Sequence, residues 1–234
     1  MPSRPDRKVS AARTGGGHPR RVGVLLPWAN VAIEEELPLL APDGVVFHYA
    51  RLVPASRTTA IDHRFWDGLR AAATDAADSL RHIPLDALLL GCTSAGFIES
   101  TTPVPAGTVT AFDALMAELD RIGAHRIVLA TPYPDAVTGT EIKALSRRSI
   151  TVLASASLGL TDGYPGVDPL RAKTLVLGLP QRALAQADAV VLSCTGWRTQ
   201  PVLAELAQQL GRPVISSVLA MANYAAHLQQ GATP

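Results

Sequence analysis

Two residues in this chain of 234 combine a nucleophilic atom with a repeated context: Cys92 in DALLLGCTS and Cys194 in DAVVLSCTG. Each ends an apolar run of strand length and precedes a threonine and a small residue. A thiol so placed sits at the carboxyl end of a buried strand, where open α/β sheets collect their ligands. Amides of a helix starting just beyond it would favour thiolate and would also hold a substrate carboxylate. Thr93, Ser94 and Thr195 add hydroxyl donors, and the backbone running to Gly196 adds amides. A lone cysteine after a leucine run is ordinarily a small buried hydrophobe. Two at matched positions, with no others in the chain, point instead to paired chemistry. Neither has a second ligand at metal-binding spacing, none of the six histidines forms an HxH or HxxxH pair, and CxxC is absent. A zinc site is therefore a poor reading of these thiols. A long-range disulfide would need them closer than a substrate-holding cleft allows.

The elements that must position them follow from the apolar pattern. RVGVLLP (21–27), GVVFHYARL (44–52), DALLLG (86–91), RIVLATP (126–132), SITVLASASL (149–158), DAVVLS (188–193) and PVISS (213–217) are continuous and bounded by turn residues, as buried parallel strands are. Between them, Phe65, Leu69, Ala72, Ala73, Ala76 and Leu80 form one apolar helical stripe. Phe112, Leu115, Met116, Leu119 and Ile122 form another, ending at Gly123. This alternation predicts an α/β fold of parallel sheets flanked by helices.

The two halves also repeat each other at an offset of 102 to 108 residues. DALLLGCTS matches DAVVLSCTG, and RVGVLLPWANVAIEEEL (21–37) aligns with RIVLATPYPDAVTGTEI (126–142). More weakly, TVTAFDALMAELDRIGA (108–124) runs parallel to SSVLAMANYAAHLQQGA (216–232). Four or five elements in matching order predict two pseudo-symmetric lobes, 20–125 and 126–234, with the site in the cleft between them.

Composition narrows the function. With 47% apolar and 18% charged residues and a net charge of +1, the chain reads as a soluble globular protein. The absence of an 18-residue apolar run argues against a membrane span. The balanced charge and 5% aromatics offer neither a basic field nor stacking platforms for nucleic acid. Residues 1–19, rich in Arg, Gly, Pro and Ser, are expected to form a disordered tail. With no apolar core for a secretory signal, a cytoplasmic location is expected.

Taken together, PWANVAIEEEL, GCTSAGF, TPYPDAVTGTE and LSCTGW closely resemble the aspartate/glutamate racemase superfamily, in particular its maleate cis-trans isomerase and arylmalonate decarboxylase branch. The resemblance covers nearly everything after the tail. It implies two pseudo-symmetric lobes, no cofactor or metal, a small carboxylate substrate, self-association into a homo-oligomer, and cysteines at the interlobe cleft. Cys92 and Cys194 match the cysteine pair, Tyr133 matches the cleft tyrosine, and Asn30 matches a carboxylate-binding asparagine. Thr93 and Ser94 resemble the carboxylate-binding pair of the decarboxylases. Where maleate isomerases follow Asp with a second carboxylate-binding Asn, LTDGYPG has Gly163. Arylmalonate decarboxylases keep only the second cysteine, so the presence of both favours isomerisation or racemisation. The resemblance thus implies a maleate-type isomerase with Cys92 as nucleophile and Cys194 as acid/base. A decarboxylase or amino-acid racemase of the same superfamily and a non-catalytic binder of small acids are the alternatives.

Each supporting residue also has a structural reading. Tyr133 can pack an interface with its hydroxyl satisfied, and Asn30 can cap the helix beginning near Val31, with Glu34 to Glu36 in its first turn. The histidines show no catalytic partner, and Arg51 and Arg57 suit surface ion pairs as well as anion attraction.

Overall fold

A computed structural model of the protein describes residues 18–58 and 60–228. Most of the tail expected over residues 1–19 lies outside the described residues. The apolar runs form two four-stranded parallel sheets of identical order, β2-β1-β3-β4 and β6-β5-β7-β8. The first comprises β1 (Arg20–Pro27), β2 (Val45–Leu52), β3 (Ala87–Leu90) and β4 (Thr108–Thr110), and the second β5 (Arg126–Thr131), β6 (Thr151–Ser157), β7 (Ala189–Leu192) and β8 (Val214–Ser216). In the first half they alternate with α1 (Ala32–Leu40), α2 (His63–Ala71), α3 (Ala73–Asp78), α4 (Thr93–Phe97) and α5 (Ala111–Arg121). In the second they alternate with α6 (Asp135–Arg147), α7 (Pro169–Leu177), α8 (Gln181–Gln186), α9 (Gln200–Leu210) and α10 (Ser217–His227).

The repeat extends to individual hydrogen bonds. Asp86 Oδ2 accepts from Arg21 N at 2.7 Å while Asp86 N donates to Arg21 O at 2.8 Å. Asp188 repeats both with Arg126, at 2.8 and 2.6 Å. Beyond the strand ends, Gly91 N donates to Leu25 O and Ser193 N to Ala130 O. Thr110 caps α5 through Asp113 N, and Ser216 caps α10 through Leu219 N. The caps make Thr110, not Thr108, the counterpart of Ser216. The weakest sequence pairing was thus two residues out of register, because it was fixed on helical residues of low identity.

Three further local expectations change. The three-residue β4 is too short for an apolar run to announce. The stripe from Phe65 to Leu80 divides into α2 and α3 at Ala72, and its buried edge starts at Trp66 rather than Phe65. β6 begins two residues later than its apolar run, because Ser149 takes a positive φ of 62° in the preceding turn.

Each sheet buries both faces. Val22, Val24 and Leu26 of β1 pack with Ile33 and Leu37 of α1 and with Val218, Met221 and Ala222 of α10, so the last helix covers the first sheet. On α5, Phe112, Leu115 and Leu119 belong to the cluster containing Ile127, Val128 and Leu129 of β5, whereas Ala111 and Ala114 face α10. The halves are thus joined by the last helix packing on the first sheet and on α5, as well as by the cleft. Among the described residues no helix is long and apolar enough to cross a membrane.

Candidate active site

Both cysteines stand two residues beyond the end of the third-position strand of their sheets, Cys92 after β3 and Cys194 after β7. They line one cavity with an empty space of about 520 Å³, counting the part open to solvent. All eight residues singled out in the sequence border it: Asn30, Cys92, Thr93, Ser94, Tyr133, Cys194, Thr195 and Gly196. Ile61, Phe65, Pro27 and Pro165 supply apolar wall, and Asp162, Gly163 and Tyr164 border the same space. Among the described residues no Lys, Arg or His lines it. Arg51 instead pairs with Glu34, and Arg57 is exposed. Among the described residues no group of His, Cys, Asp and Glu is arranged to hold a metal ion.

The two thiols differ in what surrounds them. Burial pushes the Cys92 thiol up, while the Ser94 hydroxyl, the Ala95 and Ser94 amides of α4 and the Arg70 guanidinium pull it back. Cys92 Sγ lies 3.5 Å from Ser94 Oγ, and Ser94 Oγ accepts from the Trp66 indole at 2.9 Å. Arg70 is anchored over α4 by bonds to the carbonyls of Ala95 at 2.5 Å and Thr102 at 3.2 Å.

Cys194 is followed by a turn rather than a helix. Burial drives its thiol up to about 12; the Tyr133 hydroxyl and the Gly196 amide, 3.3 Å from Sγ, oppose this, and negative charge on Cys92 or Glu141 adds to it. Glu141 of α6 is fully buried, and one of its oxygens accepts from the Ser193 hydroxyl next to Cys194. Burial lifts its carboxyl to about 8, only partly offset by Ser193, so it is mostly neutral at pH 7. Three hydrogen-bond donors and a guanidinium thus favour the Cys92 thiolate against its burial, whereas the charges near Cys194 oppose ionisation.

The remaining polar groups divide into those engaged by the protein and those left for a ligand. Thr195 Oγ1 donates to Gly91 O at 2.9 Å and accepts from Asn30 Nδ2 at 3.3 Å, so its only proton ties the two halves together. Asn30 Oδ1 accepts from Ile33 N at 3.2 Å, which gives it the capping role and leaves one amide proton. Thr93 Oγ1, buried, has no hydrogen-bond partner, and Tyr133 Oη, also buried, has no partner besides the Cys194 sulfur it faces. Buried polar atoms are rarely left unpaired, so the Thr93 hydroxyl on a cavity wall is a donor awaiting an acceptor. Burial, with the neighbouring thiols and Glu141, also holds the Tyr133 phenol well above its usual range, so it stays protonated.

A second tie runs nearby. Glu36, on α1 yet 3% exposed, crosses to the second half and accepts from Thr199 N at 2.5 Å and Gln200 N at 2.8 Å at the start of α9. Arg198 pairs with Glu35 alongside it. Trp66, Arg70, Glu36 and Glu141 were not singled out from the sequence. The counterpart positions of Glu36 and Glu141 in the aligned segments 21–37 and 126–142 were the one signal available for the carboxyl pair.

Comparison with known proteins places this geometry among enzymes. The sequence model of the arylmalonate decarboxylase family matches residues 22–231. Arylmalonate decarboxylase of Bordetella bronchiseptica is 32% identical over 123 residues, covering 51% of this chain and 50% of that protein, so this match spans about half the relative's length. Maleate isomerase of Pseudomonas putida is 24% identical over 226 residues, covering 86% and 88%. Among solved structures of the same fold is a cysteine-to-serine mutant of Nocardia farcinica maleate cis-trans isomerase with a covalently bound succinylcysteine intermediate. It aligns with a TM-score of 0.77 at 19% identity, covering 88% of this chain and 90% of that one.

Proposed function

The chain belongs to the arylmalonate decarboxylase family, and from that premise we propose that it is a cofactor-independent two-cysteine isomerase of a small carboxylate, with maleate-type cis-trans isomerisation as its reaction. One observation carries this reading: two buried thiols in unlike surroundings, one from each half, border a single cavity together with the Thr93 and Tyr133 hydroxyls.

In the proposed sequence, the Cys92 thiolate adds to one alkene carbon of the bound cis acid, forming a C–S bond. The π electrons pass to the other alkene carbon and are delocalised into its carboxylate. Donors from Thr93, Tyr133 and the remaining amide proton of Asn30 carry the added charge on the carboxylate oxygens, the contribution usually largest in such chemistry. The Cys194 S–H gives its proton to the carbanion, leaving a thioether. Rotation about the new single bond follows. The Cys194 thiolate then removes a proton from the same carbon, the C–S bond breaks, and the trans acid leaves with Cys92 again a thiolate. The succinylcysteine intermediate of the Nocardia isomerase supports such an adduct by analogy.

A second reading rests on a different observation. Among the described residues no Lys, Arg or His lines the cavity, Gly163 offers no side-chain donor, and Ile61, Phe65 and Pro165 border it. A substrate with its carboxylate at the polar end and an apolar substituent at the other fits that wall, as decarboxylation of an arylmalonate or racemisation at a carbon next to a carboxylate would require. Proton NMR in deuterated water with maleate, an arylmalonate, aspartate and glutamate separates these. Conversion of maleate to fumarate supports the first reading, and release of carbon dioxide or exchange of an α-proton supports the second. Recovery of every acid unchanged, with only a raised melting temperature, overturns both in favour of a binding protein.

A further inference from the structure

Trp66 lies outside the cavity lining, yet its indole reaches the site through one atom. Its N–H donates to Ser94 Oγ at 2.9 Å, from α2 to α4 across 28 residues of sequence, and Ser94 Oγ in turn lies 3.5 Å from Cys92 Sγ. The ring is 5% exposed and is held by edge contacts with His63 and Phe65, at centroid distances of 5.8 and 6.5 Å. Its orientation is therefore fixed by packing before any ligand binds.

We propose that Trp66 is a positioning residue for the Cys92 nucleophile: by occupying an acceptor site on Ser94 Oγ, its indole turns the Ser94 hydroxyl proton toward Cys92 Sγ. The logic is one of donor inventory. An indole nitrogen can only donate, and a serine hydroxyl has one proton and two lone pairs. With one lone pair held by Trp66, the Ser94 proton points away from the ring. A thiolate sulfur has no proton to give, so the Ser94–Cys92 contact then runs from oxygen to sulfur. Successive hydrogen bonds also polarise one another, so a serine that accepts from Trp66 is the stronger donor to sulfur.

Among the described residues the other titratable or charged groups around this thiol are Arg70 from α2, Cys194 across the cleft, Tyr133 and Tyr164 on the opposite wall, and Asp162 at the border of the same cavity. Only Arg70 shares an element with Trp66, and it touches α4 through carbonyls rather than through Ser94. The two contributions are therefore separable by mutation.

The proposal rests on Cys92 being the reactive thiol, so its test reads that thiol directly rather than through turnover. In a Cys194→Ala background, the rate of iodoacetamide alkylation of Cys92 is followed from pH 6 to 11. Trp66→Phe is expected to move the midpoint up by about half a pH unit, the size of a modest cooperative strengthening of one charge-assisted bond. Ser94→Ala is expected to move it by about one unit. Adding Trp66→Phe to Ser94→Ala is expected to move it no further, because the relay has lost its middle member. Replacing the indole by the benzothiophene of benzothienylalanine keeps the bicyclic shape and removes the N–H, so it should reproduce the Trp66→Phe shift even where the smaller ring unfolds α2. An unchanged midpoint in the isostere, or an equal shift with and without Ser94, overturns the relay. A shifted midpoint with turnover unaffected by Cys92→Ala would keep the relay and overturn the assignment of Cys92 as nucleophile.

Discussion

The two strand ends that carry the thiols make a direct comparison, because the scaffold beneath them is the same and the surroundings are not. Beneath both, an aspartate starts the strand by bonding the neighbouring strand's backbone, and the amide two residues before the thiol-bearing position's successor is fixed to the adjacent strand. Above them, Cys92 opens α4, faces a serine hydroxyl and feels the Arg70 charge, whereas Cys194 opens a turn and sits beside the buried carboxyl of Glu141. The residues just before the thiols differ in the same sense: Gly91 on one side, and on the other Ser193, whose hydroxyl engages Glu141. Two thiols border one space; the difference between their neighbours is what the proposed reaction uses to cast one as nucleophile and the other as proton carrier.

The largest test of that asymmetry is removal of each sulfur. Cys92→Ala and Cys194→Ala are each expected to lower kcat by about 10⁴-fold or more, since neither thiol can serve both roles. They should differ in labelling: at pH 8 the thiol left in Cys194→Ala alkylates at least about tenfold faster than the one left in Cys92→Ala, as a lower thiol pKa requires. Equal labelling rates would break the comparison.

Next in size are the hydroxyls. Tyr133→Phe and Thr93→Ala each remove a hydroxyl donor from the cavity wall and are expected to lower kcat by about 10²-fold with little change in stability. Thr195→Ala, which cuts the tie to Gly91 and Asn30, is expected instead to cost about 1 kcal/mol in urea unfolding.

The Glu141 carboxyl gives a pH-dependent test. Its folded value of about 8 lies above its ordinary value of 4.5, so the native state holds a proton that the unfolded chain has already lost between these limits. Its stabilising share is present in full below about pH 4.5 and disappears as pH rises through about 8. Wild-type Tm should therefore fall relative to Glu141→Gln between pH 5 and 9, by about 5 °C. A constant difference between the two proteins would mean that Glu141 is already ionised at pH 5.

The smallest effect tests the shared scaffold. Thr110→Ala and Ser216→Ala remove equivalent helix caps and should each cost about 1 kcal/mol, alike in both halves.

The strands, the repeat and the thiols were legible because each is local: an apolar run ending in the same triplet twice can be read along a line. All eight site residues named from sequence border the cavity for that reason, lying on strand ends or on the turns after them. What sets the thiols apart was not legible. Trp66 is separated from Ser94 by 28 residues, and Glu141 from Ser193 by 52. The helical stripe is drawn through Phe65 in the sequence, so Trp66, buried on the same helix, is passed over. Thr195 illustrates the opposite failure, since its type and place suggest a substrate donor while its proton is committed to Gly91. No local pattern records which partner a hydroxyl has chosen.

Gly91 itself stands in a crowded place. A Cβ there would lie 2.8 Å from Ile33 Cδ1, which can turn aside, and 3.2 Å from the Leu25 carbonyl oxygen, which must give by a few tenths of an ångström. A single methyl added one residue before the Cys92 sulfur would thus press on β1 and α1 together.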